Sequence, residues 1–159
     1  MTTQLSDVLA QGGNRDAALR EALALILKDF NSETGTIHLL DAAKQELNLA
    51  AQIGLPPALL DIVRVVPVGK GIAGQTVAQG RPVSICNLQT DSGGVARPAA
   101  KQTGVGGALC VPLRSGDKIV GALGVGTVRP HEYTADETKR MEAAGGLLGT
   151  YVAEGRAAE

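Results

Sequence analysis

Val68-Gly69-Lys70-Gly71-Ile72-Ala73-Gly74-Gln75-Thr76-Val77-Ala78-Gln79-Gly80-Arg81-Pro82-Val83 is the stretch whose reading decides the fold. Taken literally, Gly69, Gly71 and Gly74 spell G-x-G-x-x-G, and Asp91 stands about where a ribose-binding acid would follow a dinucleotide fingerprint. The flanks speak against that reading. A dinucleotide site needs a clean buried strand before the glycines and a long crossover helix after them. Here Pro67 interrupts the short 64–68 run, and the helix must stop by Gly80. The next strand, 82–87, ends before Asp91 rather than on it. The glycines are then backbone hardware: Gly69 and Gly71 permit a sharp turn, and Gly74 lets a short helix lie close to a sheet.

Upstream, residues 1–13 read as a polar leader. Asn14 can cap a helix in which Leu19, Leu23, Ile26, Leu27 and Phe30 recur at helical spacing. Ser32-Glu33-Thr34-Gly35 breaks it. Two runs follow, 36–41 and 46–53, joined by the polar turn 42–45, and they predict an antiparallel hairpin. In the second run Leu47, Leu49, Ala51 and Ile53 alternate with Asn48, Ala50 and Gln52, so the first set should share one face. His38 falls on the Thr36-His38-Leu40 face of the first run. A lone strand histidine with no Cys or Glu partner reads as a satisfied or solvated side chain rather than a metal ligand. Pro56-Pro57 then opens a short helical turn through Leu59, Leu60 and Val63.

Downstream, 82–87 is the third main strand, with Val83 and Ile85 on one face and Ser84 and Cys86 on the other. The connection 88–106 is long, as binding loops and lids are; Gly93-Gly94 offer a hinge, and Asp91, Arg97, Lys101 and Thr103 are its polar candidates. Residues 107–114 and 118–127 form a second hairpin around Ser115-Gly116-Asp117. Leu109, Val111 and Leu113 with Ile119, Leu123 and Val125 make a large-residue face. Ala108 and Cys110 with Ala122, Gly124 and Gly126 make a small-residue face, which Ser84 and Cys86 should extend. A sheet face with so little side-chain volume needs something close to it. Either the Ile72–Gln79 helix packs there or a ligand lies in a cavity roofed by the long connection. Finally Thr134-Ala135-Asp136-Glu137 is a capping box that opens the last helix. Its apolar stripe runs through Met141, Ala144 and Leu148 to Tyr151 or Val152, and Gly145, Gly146 and Gly149 imply close backbone contact.

Several segments taken together resemble the GAF domain family. They are Gly35-Thr36-Ile37-His38-Leu39-Leu40-Asp41, Gly69-x-Gly71-Ile72-Ala73-Gly74, Gly80-Arg81-Pro82-Val83, the long loop with Asp91, Cys110-Val111-Pro112-Leu113, Ile119-Val120-Gly121-Ala122-Leu123 and Tyr133-Thr134-Ala135-Asp136-Glu137. The resemblance spans residues 14–153 as a single domain, leaving 154–159 as a tail. It implies an α+β fold, an antiparallel sheet of five to six strands with helices on both faces and the main strands in the order 2-1-5-4-3. It also implies a ligand on the small-residue face, and a homodimer through the first and last helices. The candidate site is Ser84, Cys86, Asn87, Asp91, Arg97, Thr103, Cys110, Gly124 and Gly126. Asp91 and Arg97 give its roof one charge of each sign, which suits a polar or zwitterionic ligand.

The function expected from this reading is a non-catalytic small-molecule sensor of the cytoplasm, a homodimer that passes its signal to a protein partner. The sequence names no cofactor. A net charge of −1 with no basic run argues against nucleic acid, and aromatics at 2% remove the stacking platforms single strands use. No apolar run approaches a membrane span, and two cysteines are too few for a disulfide framework or a four-cysteine metal site. Cyclic-nucleotide-binding relatives carry an Asn-Lys pair where Thr127-Val128-Arg129 stands, and bilin-binding relatives a cysteine missing from this loop. The enzymatic alternative is a relative of the free methionine-(R)-sulfoxide reductases, which need a thiolate nucleophile and a resolving thiol. Ala73 stands at one of their cysteine positions, residues 88–106 hold no cysteine, and Gly124 and Gly126 take the place of their carboxylates. Two further alternatives are a redox sensor built on Cys86 and Cys110, lying on one face of neighbouring strands, and a dimerising scaffold with no ligand.

Overall fold

A computed structural model describes residues 2–11, 13–87 and 106–158. The elements in chain order are α1 (Thr2–Ala10), α2 (Arg15–Asp29), β1 (Thr34–Asp41), β2 (Glu46–Ile53), α3 (Pro57–Val63), β3 (Val65–Pro67), α4 (Gly71–Gln79), β4 (Val83–Ile85), β5 (Ala108–Ser115), β6 (Lys118–Gly126) and α5 (Ala135–Ala158). The strands form one antiparallel sheet in the order β3-β2-β1-β6-β5-β4. Without the short β3 this is the expected order of the main strands. β3 and β4 lie at opposite edges, so α4 spans the sheet between them instead of joining parallel neighbours.

The glycine-rich stretch does the backbone work expected of it. Gly69 and Gly71 have φ of 91° and 64°, and a Cβ on Gly74 would come within 2.4 Å of the Pro67 carbonyl oxygen. Gly80 ends α4 in the left-handed conformation at φ 66°.

One sheet face carries α1, α2 and α5. Their core joins Leu19, Leu23 and Ile26 of α2 and Met141, Ala144, Leu148 and Val152 of α5 to Ile37, Leu109, Val111, Leu113, Leu123 and Val125 of the sheet. Asn14 caps α2 through the Ala17 N–H at 3.0 Å. Thr134 and Glu137 form the reciprocal capping box of α5, at 3.1 and 3.0 Å. Arg140 of α5 pairs with Asp29 of α2 and stacks over Phe30.

Three expectations change. The polar leader is helix α1, with Leu5 fully buried in this core. Alternation along β2 and β6 is broken by a register shift in each: Ile37 pairs with Ala51 but His38 with Leu49, and Leu113 pairs with Gly121 but Arg114 with Ile119. An extra residue flips every side chain beyond it. Leu47 therefore leaves the face of Ala51 and packs under α4, Val120 enters the main core, and Ile119 sits beside Gly80 on the α4 side. The argument for a dimer seam also loses its basis. The stripe of Met141, Ala144, Leu148 and Val152 is spent on the chain's own core, and a Cβ at Gly145 or Gly149 would strike the β5 backbone, at 2.9 Å from the Pro112 oxygen and 2.2 Å from the Arg114 oxygen.

Candidate functional site

The other sheet face is covered differently. Ile72, Ala73 and Val77 of α4 pack on a small cluster of Leu47, Val66, Cys110 and Ala122. Thr76, fully buried in the middle of α4, donates its hydroxyl to the Ile72 carbonyl at 2.7 Å and lies against the Cys110 sulfur, where its hydroxyl favours the thiolate. Burial pushes that thiol up to about 11, the Thr76 contact offsetting only part of the shift, so Cys110 is a protonated packing residue at neutral pH.

Along the two middle strands the floor runs past the helix. Thr36 and His38 of β1 stand opposite Gly124 and Ala122 of β6. The three atoms nearest to a Cβ placed on Gly124 are Thr36 Oγ1 at 3.2 Å, Cys110 Sγ at 3.8 Å and the Leu109 oxygen at 3.9 Å, none of them from α4. Thr36 and Gly124 are only half-buried although they lie in the centre of the sheet. His38 is 3% exposed, and its Nε2 lies 2.9 Å from the Val63 oxygen at the end of α3. Burial lowers its pKa against the opposing effect of that carbonyl, so the ring is neutral.

The expected site residues separate. Cys110 and Gly124 are brought together, and Gly126 continues the floor opposite Ala108. Ser84 is exposed and pairs with Leu109, so it belongs to the opposite face; Val83 and Ile85 are the β4 residues that share the floor with Cys110 and Ala108. Cys86 is exposed beyond the end of β4, with Asn87 half-buried after it. The two cysteines therefore do not share a face of neighbouring strands, because the partner opposite Cys110 is Val83. Asp91, Arg97 and Thr103, with the expected hinge, lie outside the described residues. The ends flanking that stretch are both tied to residues 127–131: the His131 N–H donates to the Cys86 oxygen at 2.9 Å, the Gly106 N–H to the Thr127 oxygen at 2.6 Å and the Thr127 N–H to the Gly107 oxygen at 2.9 Å. His131, expected to be exposed, is half-buried and pairs with Glu137 at 3.0 Å. Thr36, His38 and Thr76 were not among the expected residues. Alternation places the first two on one face of β1, but only the β1–β6 register sets them against Gly124 and Ala122.

Among the described residues no three His, Cys, Asp or Glu side chains cluster as metal ligands, and no helix is long and apolar enough to cross a membrane.

One antiparallel sheet with α1, α2 and α5 on one face and α4 on the other defines a class of α+β domain. The GAF domain family model matches residues 13–153, and the chain belongs to that family. No curated protein matches it. Among solved structures it is similar to the free methionine-R-sulfoxide reductase of Neisseria meningitidis in complex with its substrate, at 20% identity, covering 99% of this chain and 89% of that one, with a TM-score of 0.81. It is similar to the GAF domain of a phosphoenolpyruvate-protein phosphotransferase from Coxiella burnetii, at 18% identity, 98% and 92% coverage and a TM-score of 0.83. A third neighbour is the reduced form of the Staphylococcus aureus reductase, at 22% identity, 94% and 91% coverage and a TM-score of 0.73. These likenesses establish the fold. They also correct one expectation: the chain was read as no enzyme, whereas reductases share its fold over nearly its whole length, so that exclusion does not stand.

Proposed function

We propose that this GAF domain binds a small polar molecule of amino-acid size on the α4 face, over the floor made by Thr36, His38, Cys110, Ala122 and Gly124. The observation that carries the reading is the half-buried Thr36–Gly124 pair on the two middle strands of the sheet. A glycine on a middle strand, with α4 absent from its three nearest contacts, would be a costly choice in a purely structural scaffold. Ligand polarity follows from the two polar side chains of β1, Thr36 and His38. Native mass spectrometry of the protein as purified, followed by thermal-shift screening with free amino acids, their sulfoxides and small acids, tests it. A ligand that binds only the folded state raises the unfolding temperature; a full panel with no retained mass and no shift would sink the reading.

A second reading, reduction of free methionine-R-sulfoxide, is favoured by the reductases among the structural neighbours. The balanced reaction takes one sulfoxide and two thiols to a thioether, a disulfide and water. Cys86 is the exposed thiol of the two, and Cys110 is held protonated under α4. Cys86 would then attack the sulfoxide sulfur and an external thiol would close the disulfide. Incubation with free L-methionine-R-sulfoxide and dithiothreitol should yield methionine in the wild type and not in Cys86→Ser; equal yields in both would remove the reading.

A further inference from the structure

His38 is a costly residue for its place. Its Nε2 faces the Val63 carbonyl, which can only accept, so Nε2 carries the proton and Nδ1 is left as a bare lone pair. That Nδ1 is buried and has no hydrogen-bond partner among the described residues. A buried acceptor left unpaired costs on the order of 1–3 kcal/mol, whereas a leucine would fill the volume without that penalty. Nor does the ring relieve the lone pair by taking a proton, since burial lowers its pKa.

Among the described residues no donor reaches Nδ1. Across the strands His38 faces Ala122 on one side and Leu49 on the other, both without a side-chain donor. Nδ1 is bonded to the ring carbon nearest the backbone, so it lies low over the sheet while Nε2 reaches out to α3. One step along the same strand and on the same side is Thr36, whose Oγ1 stands 3.2 Å from where a Gly124 side chain would begin. Two polar side chains thus line one strand beside Ala122 and Gly124 of its neighbour.

We propose that Nδ1 of His38 is a ligand-recognition atom, which accepts a hydrogen bond from the N–H of a primary ammonium or amide on the bound molecule. The inference rests on the α4 face being the binding face, and adds to it the class of ligand: an N–H donor, as a free amino acid is, with Thr36 Oγ1 as a second polar contact. A simple carboxylate or ether has nothing to give Nδ1.

The test reads His38 directly. Uniformly 15N-labelled protein is titrated with free L-methionine-R-sulfoxide and, separately, with 4-(methylsulfinyl)butanoate, the same molecule without its ammonium. The Nδ1 resonance should move with the amino acid and stay with the deaminated acid, while Nε2 stays with both. In His38→Leu the affinity for the amino acid should fall to that for the deaminated acid. If the Thr36 and Gly124 amide signals move but Nδ1 does not, the face binds ligands and the role given to His38 is wrong. If no signal on this face moves with either compound at millimolar concentration, the ammonium-bearing class and the binding face fall together.

Discussion

The two faces of the sheet use the same small residues for opposite ends. On the helical face Gly145 and Gly149 let α5 press onto the β5 backbone, and large side chains fill what remains. On the α4 face the atoms nearest to a Cβ placed on Gly124 are those of Thr36, Cys110 and one strand oxygen, and beside it lies a buried histidine whose Nδ1 has no partner among the described residues. The first face is filled by large buried side chains; the second keeps buried polar groups that stability alone would not select. A glycine therefore says little until its surroundings are known.

The sharpest way to break this comparison is one substitution made on each face. Gly149→Ala drives a Cβ to within 2.2 Å of the Arg114 backbone oxygen and should destabilise by about 3 kcal/mol in urea unfolding. Gly124→Ala meets the rotatable Thr36 hydroxyl at 3.2 Å and should cost under about 1 kcal/mol. Comparable costs at the two positions would mean that the faces are equally tight. A similar contrast holds for large residues: Leu148→Ala, fully buried, should cost about 3 kcal/mol, and half-buried Ile72→Ala about 1.

A smaller effect isolates the cap of the helical face. Slight burial pushes the Glu137 carboxyl up, but the Thr134 N–H and the His131 contacts outweigh it and hold the group below its usual value. Its contribution is present above the ordinary glutamate pKa and is lost as pH falls through the lower, folded value. Thr134→Ala should cost about 1 kcal/mol by thermal unfolding at neutral pH.

On the α4 face the pH dependence starts higher. His38 is neutral when folded, with a lowered pKa, so between that value and the ordinary histidine pKa only the unfolded chain binds the proton. Stability is complete above the ordinary value and falls as the pH drops below it. Unfolding midpoints measured from pH 7 to pH 5 should decline in the wild type, and the decline should be shallower in His38→Leu. Parallel curves would mean that His38 is not the buried neutral group described.

How far the sequence carried these conclusions depended on the kind of signal. Elements with local chemistry were legible: the Asn14 cap, the Thr134–Glu137 box and the turn at Gly69 and Gly71 stand where residue types put them. Burial faces were legible only up to a bulge. Strict alternation misplaced Leu47 and Ile119, because one inserted residue is invisible in a hydrophobic pattern. Ser84 was misassigned for a related reason: its face depends on the β4–β5 register, which pairs Leu109 with Ser84 and Cys110 with Val83. The last-helix glycines showed close contact but not the partner, which proved to be the chain's own β5. Thr36 and His38 were in plain view as a strand face, and their meaning came only from what lies across the sheet.

The central claim, that the α4 face is the binding face, meets its most direct test in calorimetric titration of free L-methionine-R-sulfoxide into three proteins. Gly124→Leu fills the floor beside Thr36, while Gly146→Ala alters an α5 position with open space around it and leaves the floor alone. Wild type and Gly146→Ala should bind with the same Kd, and Gly124→Leu should bind at least about tenfold more weakly. Equal affinity in all three proteins, or no binding heat with the wild type, would contradict the claim.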